Sequence, residues 1–132
     1  PYLVEINLIS NLLLQYIDDY QSHPFPEYLR IGVPVALSSD DRGMWDSTMT
    51  DEFFVAVKEF NLSWSEIKQL SRNSISYSFL EEPEKGNLLA LFEQRMEKFE
   101  RQIHSDTSVR PVRRNSAPKR GFICRNYHIC SD

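Results

Sequence analysis

Val33-Pro34-Val35-Ala36-Leu37-Ser38-Ser39-Asp40-Asp41 is the stretch on which the fold turns. Five apolar residues, three of them β-branched or small, give way at once to a polar, acidic loop. That pattern reads as a buried strand followed by its exit loop. Pro34 lacks an N–H and belongs at the start of such a strand. Upstream, Tyr2-Leu3-Val4-Glu5-Ile6-Asn7-Leu8-Ile9 reads as a second apolar strand, with a polar break at Ser10-Asn11. Between the two lie Leu12–Tyr20, a short helix or an ordered loop, and the breaker His23-Pro24-Phe25-Pro26. Glu27–Arg30 then supplies one or two helical turns closed by Gly32.

Three helices follow the second strand. Thr48-x-x-Asp51 can cap a helix running to about Phe60, and Ser63-x-x-Glu66 is a capping box for a helix over Ile67–Phe79. Pro83 sits at a first helical position, and Leu89, Phe92, Met96, Phe99 and Ile103 then step by three and four. That spacing gives one apolar face, expected to pack against a neighbouring layer. From about His104 the period is lost. We therefore divide the chain into 1–104 and a basic, flexible extension over 105–132. Strand, short helix, strand, helices suggests parallel βα units. Two strands do not make a parallel sheet that stands alone, and a full (β/α)₈ barrel takes about 250 residues. The expected fold is α/β, the last two βα units and closing helices of such a barrel.

Charge narrows the partners. The net charge of -4 combines an acidic body, 9 Lys/Arg against 17 Asp/Glu in 1–104, with a basic tail of 6 against 2. An acidic body argues against a nucleic-acid-binding domain. No apolar run reaches the roughly 18 residues that span a bilayer. The two cysteines, Cys124 and Cys130, leave the compartment open.

Adjacent carboxylates at a strand exit are electrostatically expensive, and a divalent cation is one answer. In that arrangement Asp40 binds the ion and Asp41 bonds the substrate. The other reading is an ordinary loop whose Asp residues cap a following helix. In the tail, Cys124-x-x-x-His128-x-Cys130 offers three metal-capable side chains without finger spacing, and Arg113-Arg114-Asn115-Ser116 has the form of a basic-directed phosphorylation site. A solvated extension is the favoured reading of both.

Several motifs, in order, resemble the adenosine deaminase family. Ser38-Ser39-Asp40-Asp41 resembles its Ser-Ser-Asp-Asp-Pro motif. Glu5-Ile6-x-x-Ile9-Ser10-Asn11 resembles the segment Glu-Val/Ile-Cys-Pro-Ile-Ser-Asn on the preceding strand, and His23-Pro24 an Asn-His-Pro element. Leu70-Ser71-Arg72-Asn73-Ser74-Ile75-x-Tyr77-Ser78 resembles a family helix, continued by Glu84-Lys85 and Arg95-x-x-x-Phe99. The match runs over roughly residues 2–103 and leans to the growth-factor-related, secreted branch.

The resemblance implies a zinc-dependent (β/α)₈ barrel of which this chain supplies the seventh and eighth strands. It implies hydrolytic deamination of adenosine or deoxyadenosine to inosine and ammonia, with one zinc ion activating water. Asp40 matches the zinc ligand. Asp41 matches the residue that hydrogen-bonds a purine ring nitrogen. Ser10 and Asn11 either line the pocket or form a plain strand-terminating turn. The branch implies an extracellular protein, makes a Cys124–Cys130 disulfide plausible, and leaves room for a homodimer in the full-length protein. The departures are equally specific. The family's His-x-His pair, its further zinc His and its His-x-Gly-Glu segment are absent, and His23, His104 and His128 stand singly. Asn7-Leu8 replaces Cys-Pro, and Arg42 replaces the Pro after the Asp pair. Two competing readings follow: a noncatalytic remnant that acts by binding, and an AMP deaminase.

Overall fold

A computed structural model describes residues 2–105. The tail motifs around Ser116 and Cys124–Cys130 lie outside these residues.

Strand β1, Val4–Ile6, pairs in parallel with β2, Val35–Leu37, in the register Val4↔Val35, Glu5↔Ala36 and Ile6↔Leu37. Two further bonds extend the ladder: Val4 N–H donates to the Pro34 carbonyl at 2.8 Å, and Ser38 N–H to the Ile6 carbonyl at 2.9 Å. Pro34 thus stands just before the strand and contributes only its carbonyl, as a residue without an N–H must. All three β2 residues are buried, whereas Val4 and Glu5 of β1 are exposed. The chain between the strands forms helix α1, Leu8–Leu13, a 3-10 turn at Tyr20–Ser22, and helix α2, Phe25–Arg30.

Strand β1 is shorter than the sequence pattern suggests. The apolar run continues through Leu8 and Ile9, but the backbone turns into α1 at Leu8. Ser10 and Asn11 therefore lie inside a helix rather than at a strand end. The reason is remote in sequence: the Leu8 and Ile9 N–H groups donate to the carboxylate of Glu52 instead of to a strand. Helix α2 likewise starts at Phe25 and accommodates Pro26 in its first turn, where a missing N–H costs nothing. Gly32 follows at φ +87°, a conformation that favours glycine.

After β2 come a four-residue helix α3, Arg42–Trp45, and the long helices α4, Met49–Phe60, α5, Trp64–Ser76, and α6, Glu82–Ser105. Both sequence-predicted capping boxes are present, Thr48 with Asp51 on α4 and Ser63 with Glu66 on α5. Helix α5 starts and ends three residues earlier than its apolar pattern indicates, because Ser63 is its cap and Trp64 its first residue. The core joins Leu8, Ile9, Phe25, Val35, Val55 and Leu70, all fully buried. The Phe25 and Phe60 rings meet edge to face, 5.4 Å between centroids. Asn73 fastens α5 to the sheet: its side-chain N–H donates to the Val35 carbonyl at 2.8 Å, in a buried position.

Helix α6 departs from its expected core face. None of its residues is buried. Leu89, Phe92 and Met96 are half-buried, while Phe99 and Ile103 stay 46% and 44% exposed. Helix α5 is its main partner, through the Trp64–Phe99 ring contact and the Lys68–Glu100 and Arg72–Glu93 ion pairs. One neighbouring helix covers only part of a helix's circumference. Among the described residues no helix is long and apolar enough to cross a membrane.

Candidate active site

In parallel βα architectures, reactive side chains sit where strands end and loops begin. Here the exits of β1 and β2 lie side by side, since Ile6 pairs with Leu37. The β2 exit turns sharply at Asp40, whose φ of 52° lies in the left-handed region that few non-glycine residues adopt. The turn is held by Asp40 N–H donating to Ser38 Oγ at 3.3 Å.

That turn sends the two neighbouring carboxylates in different directions. Asp40 Oδ2 accepts from Ser10 Oγ at 2.9 Å, a bond from the β2 exit to helix α1. Asp41 caps α3: its Oδ1 accepts from Gly43 N–H at 3.1 Å and from Met44 N–H at 3.2 Å. Both are exposed. The structure thus brings Ser10 to Asp40, and gives Asp41 the helix-capping contact that an ordinary loop Asp would make.

Asn11 is engaged elsewhere. Its side-chain amide lies 3.0 Å from His23 Nε2, while His23 Nδ1 accepts from Phe25 N–H at 3.0 Å. A ring nitrogen that accepts carries no proton, so in the neutral ring the proton sits on Nε2; the atom facing it is Asn11 Nδ2, and turning the amide over brings its oxygen there to accept. Burial holds the His23 pKa below its ordinary value, which favours this neutral form. The ring packs edge to face on Phe25 and Phe60. His23 is a core histidine satisfied at both nitrogens.

Glu52 is the group that motif reading missed. It is fully buried on α4, and accepts from Leu8 N–H at 2.9 Å and Ile9 N–H at 3.2 Å. Burial pushes its pKa up to about 7, opposed by those two N–H donors and reinforced by the charges of Asp51 and Asp40. A signal for it exists: Glu52 shares a helix face with Val55, Ala56 and Phe60, all buried. A carboxylate in an apolar stripe demands a partner.

The donor set for zinc is incomplete among the described residues. A catalytic zinc takes about three protein ligands. Among the described residues, no three His, Cys, Asp or Glu side chains converge on one point. Asp40 fits as one carboxylate ligand at a strand exit and no more. Three buried polar atoms without hydrogen-bond partners among the described residues lie in the same exit segments: Asn7 Oδ1 after β1, and Trp45 Nε1 and Ser47 Oγ after β2.

Comparison with known proteins places these features in a family. The family model for adenosine deaminase matches residues 2–95. An adenosine deaminase of Clostridium acetobutylicum is 38% identical over 80 residues, which are 61% of this chain and 24% of that protein. The human protein named adenosine deaminase 2 is 32% identical over 100 residues, 73% of this chain and 20% of its own length. Among solved structures, the Arabidopsis N6-mAMP deaminase superposes with a TM-score of 0.66 at 32% identity, over 70% of this chain and 28% of that one. The chain therefore spans about a quarter or less of the length of these curated relatives. Its structural neighbours are (β/α)₈ barrels, of which it matches a part with the strand and helix content expected for one. This chain belongs to the adenosine deaminase family.

Proposed function

We propose that this chain forms the C-terminal part of a zinc-dependent purine deaminase that hydrolyses adenosine or deoxyadenosine to inosine and ammonia. The carrying observation is the Asp40 turn. A carboxylate sits at a β-strand exit in a left-handed backbone conformation, bonded to Ser10 from the neighbouring strand's exit. Strained backbone at a strand exit is where functional groups concentrate. In this reading Asp40 is a zinc ligand, and Asp41 accepts or donates a hydrogen bond at a purine ring nitrogen. Zinc, when bound, supplies the Lewis acidity that makes water nucleophilic near neutral pH. The remaining ligands and the acid–base Glu come from outside this chain. Ser10 orients Asp40, and Asn11 supports the pocket wall through His23.

The growth-factor-related branch and an extracellular location go with this reading. The match to the human protein named adenosine deaminase 2, over 73% of the chain, favours the branch, and the location follows only from the branch. We divide the protein at residue 104, with the basic 105–132 segment as an appendage to the catalytic part. A nucleotide substrate is the second reading, favoured by the resemblance to the N6-mAMP deaminase. A noncatalytic remnant is the third, favoured by Arg42 beside the Asp pair and by the single zinc ligand that the described residues offer.

The test uses the protein that carries this chain. Asp40→Asn should lower retained zinc. Asp41→Asn should lower kcat while zinc content holds. Zinc content and turnover equal to the parent in both variants would remove these roles. Comparing adenosine with AMP as substrates separates the first two readings, and absence of turnover on both favours the third. The 132-residue chain alone should neither deaminate nor retain zinc. Stoichiometric zinc after dialysis would overturn that expectation.

A further inference from the structure

We propose that Glu52 is a positioning residue for the Asp40 site: its buried carboxylate fixes the start of α1, and α1 in turn holds Asp40 through Ser10. The inference rests on the reading of Asp40 as the site's functional carboxylate.

Helix α1 cannot hold itself in place. It has six residues, its Asn7 cap makes no side-chain hydrogen bond, and its first turn carries no acidic residue. So short a helix is unstable alone, and its first N–H groups have no partners within it. Glu52 supplies both missing contacts, one oxygen to each of two successive N–H groups. A carboxylate at a helix N-terminus is also favoured by the helix dipole.

Glu52 is itself firmly placed. The residue before it, Asp51, closes the α4 capping box, accepting from Thr48 N–H at 2.6 Å and from Thr48 Oγ1 at 2.7 Å. The end of α4 that bears Glu52 is thereby stiffened. At the other end of the relay, Ser10 follows Ile9 directly and is 1% exposed. A buried hydroxyl on the first turn of α1 moves with the N–H groups that Glu52 holds. Its Oγ then sets where Asp40 Oδ2 rests. The relay runs from the α4 cap through Glu52, the α1 start and Ser10 to the β2 exit. It joins residues 42 positions apart between Ser10 and Glu52, so no local signal could replace it.

A carboxylate suits this point. Each N–H meets its own oxygen, whereas an amide offers one oxygen and adds two N–H groups that need acceptors of their own. A hydrocarbon of the same size would leave both N–H groups unmet.

The test is nuclear magnetic resonance of the zinc-free intact protein that carries this chain, segmentally labelled over it, at one fixed pH above 8, where Glu52 is ionised. It follows amide exchange at Leu8 and Ile9 and the side-chain carboxyl carbon signal of Asp40. The variants are Glu52→Gln, Glu52→Ala, Ser10→Ala and the Glu52→Ala/Ser10→Ala double. Exchange at Leu8 and Ile9 should quicken about ten- to a hundredfold, from the loss of a charge-assisted bond. The Asp40 signal should move in the Glu52 variants in the direction it moves in Ser10→Ala, and the double variant should add nothing further. An Asp40 signal fixed at its parent position while the two amides exchange freely would overturn the proposal, as would additive shifts in the double variant. Glu52→Gln preserves volume and carries the test if Glu52→Ala does not fold. None of these readouts depends on turnover or zinc, so failure of the deaminase reading leaves them standing as a separate result.

Discussion

Raising the pH from 5 to 8 should weaken this fold, and Glu52 should account for most of the Glu-specific part of that loss. The ordinary carboxyl value is 4.5, and burial pushes Glu52 up to about 7 in the folded protein. Between those values the native state holds a proton that the unfolded chain has released. Where the native state binds more protons, stability falls as pH rises. The contribution is intact below 4.5 and is lost as pH climbs through 7. A separation from 4.5 to about 7 corresponds to about 3 kcal/mol in full, most of which falls between pH 5 and 8. The charges facing Glu52 are Asp51 and Asp40, both of the same sign, and they act in the same direction as burial. His23 opposes: its pKa lies below the ordinary 6.5, so protonation favours the unfolded chain and its contribution to stability grows with pH. The assay is urea unfolding of the parent and of Glu52→Gln at both pH values. His23 is common to both proteins and cancels in the comparison. The uncharged variant bears a fixed penalty for its extra N–H groups, which cancels between pH values. The parent should lose about 2–3 kcal/mol more than the variant on going from pH 5 to 8. Parallel pH dependences would refute the reasoning and mean that the two N–H donors outweigh burial.

Other outcomes follow from single contacts. Asn73→Ala removes the bond to the Val35 carbonyl and the bond accepted from Gln69 at 2.7 Å. It should cost about 1–3 kcal/mol in a urea titration, and an unchanged midpoint would mean that α5 does not depend on this clamp. Thr48→Ala opens the α4 capping box and should cost about 1 kcal/mol, read as a lowered Tm. Phe25→Ala leaves a cavity beside His23 and Phe60 and should cost about 3–5 kcal/mol. A loss below about 1 kcal/mol would show that the core collapses to fill it.

What the sequence makes legible here is local. The two capping boxes, the helices that they start and the strand before Asp40 each depend on residues within a few positions of one another, and each is present. Strand β1 shows the limit. Its apolar pattern runs on through Ile9, yet Leu8 begins a helix because Glu52, 44 positions away, takes its N–H. Periodicity cannot register such a bond. The stripe on α6 shows a second limit: spacing fixes which residues share a face, but not how much of that face a neighbour covers. The site divides in the same way. Asp40 at a strand exit was legible from the Ser-Ser-Asp-Asp run. Its bond to Ser10 was not, because that bond requires Ser10 to stand on a helix.

The adjacent carboxylates raise the question of how two anions can share a strand exit without a cation. The geometry gives a partial answer. The left-handed turn at Asp40 directs its carboxylate to the Ser10 hydroxyl, while Asp41 turns to two backbone N–H groups of α3. Each charge meets its own donors. The two sets of donors are unequal, however. Asp41 has two N–H groups, whereas Asp40 has one hydroxyl, and its charge acts unfavourably on the buried acid Glu52. Of the three carboxylates, Asp40 is therefore the one with the fewest hydrogen-bond donors in these contacts. A cation bound there would offset Asp40 directly and lower the pKa of Glu52 as well. The link makes a second prediction from the same geometry. In the intact protein, adding zinc should shift the Glu52 titration downward, and Asp40→Asn should abolish most of that shift. A Glu52 titration indifferent to zinc would separate the two carboxylates and leave Asp40 without this reason to bind metal.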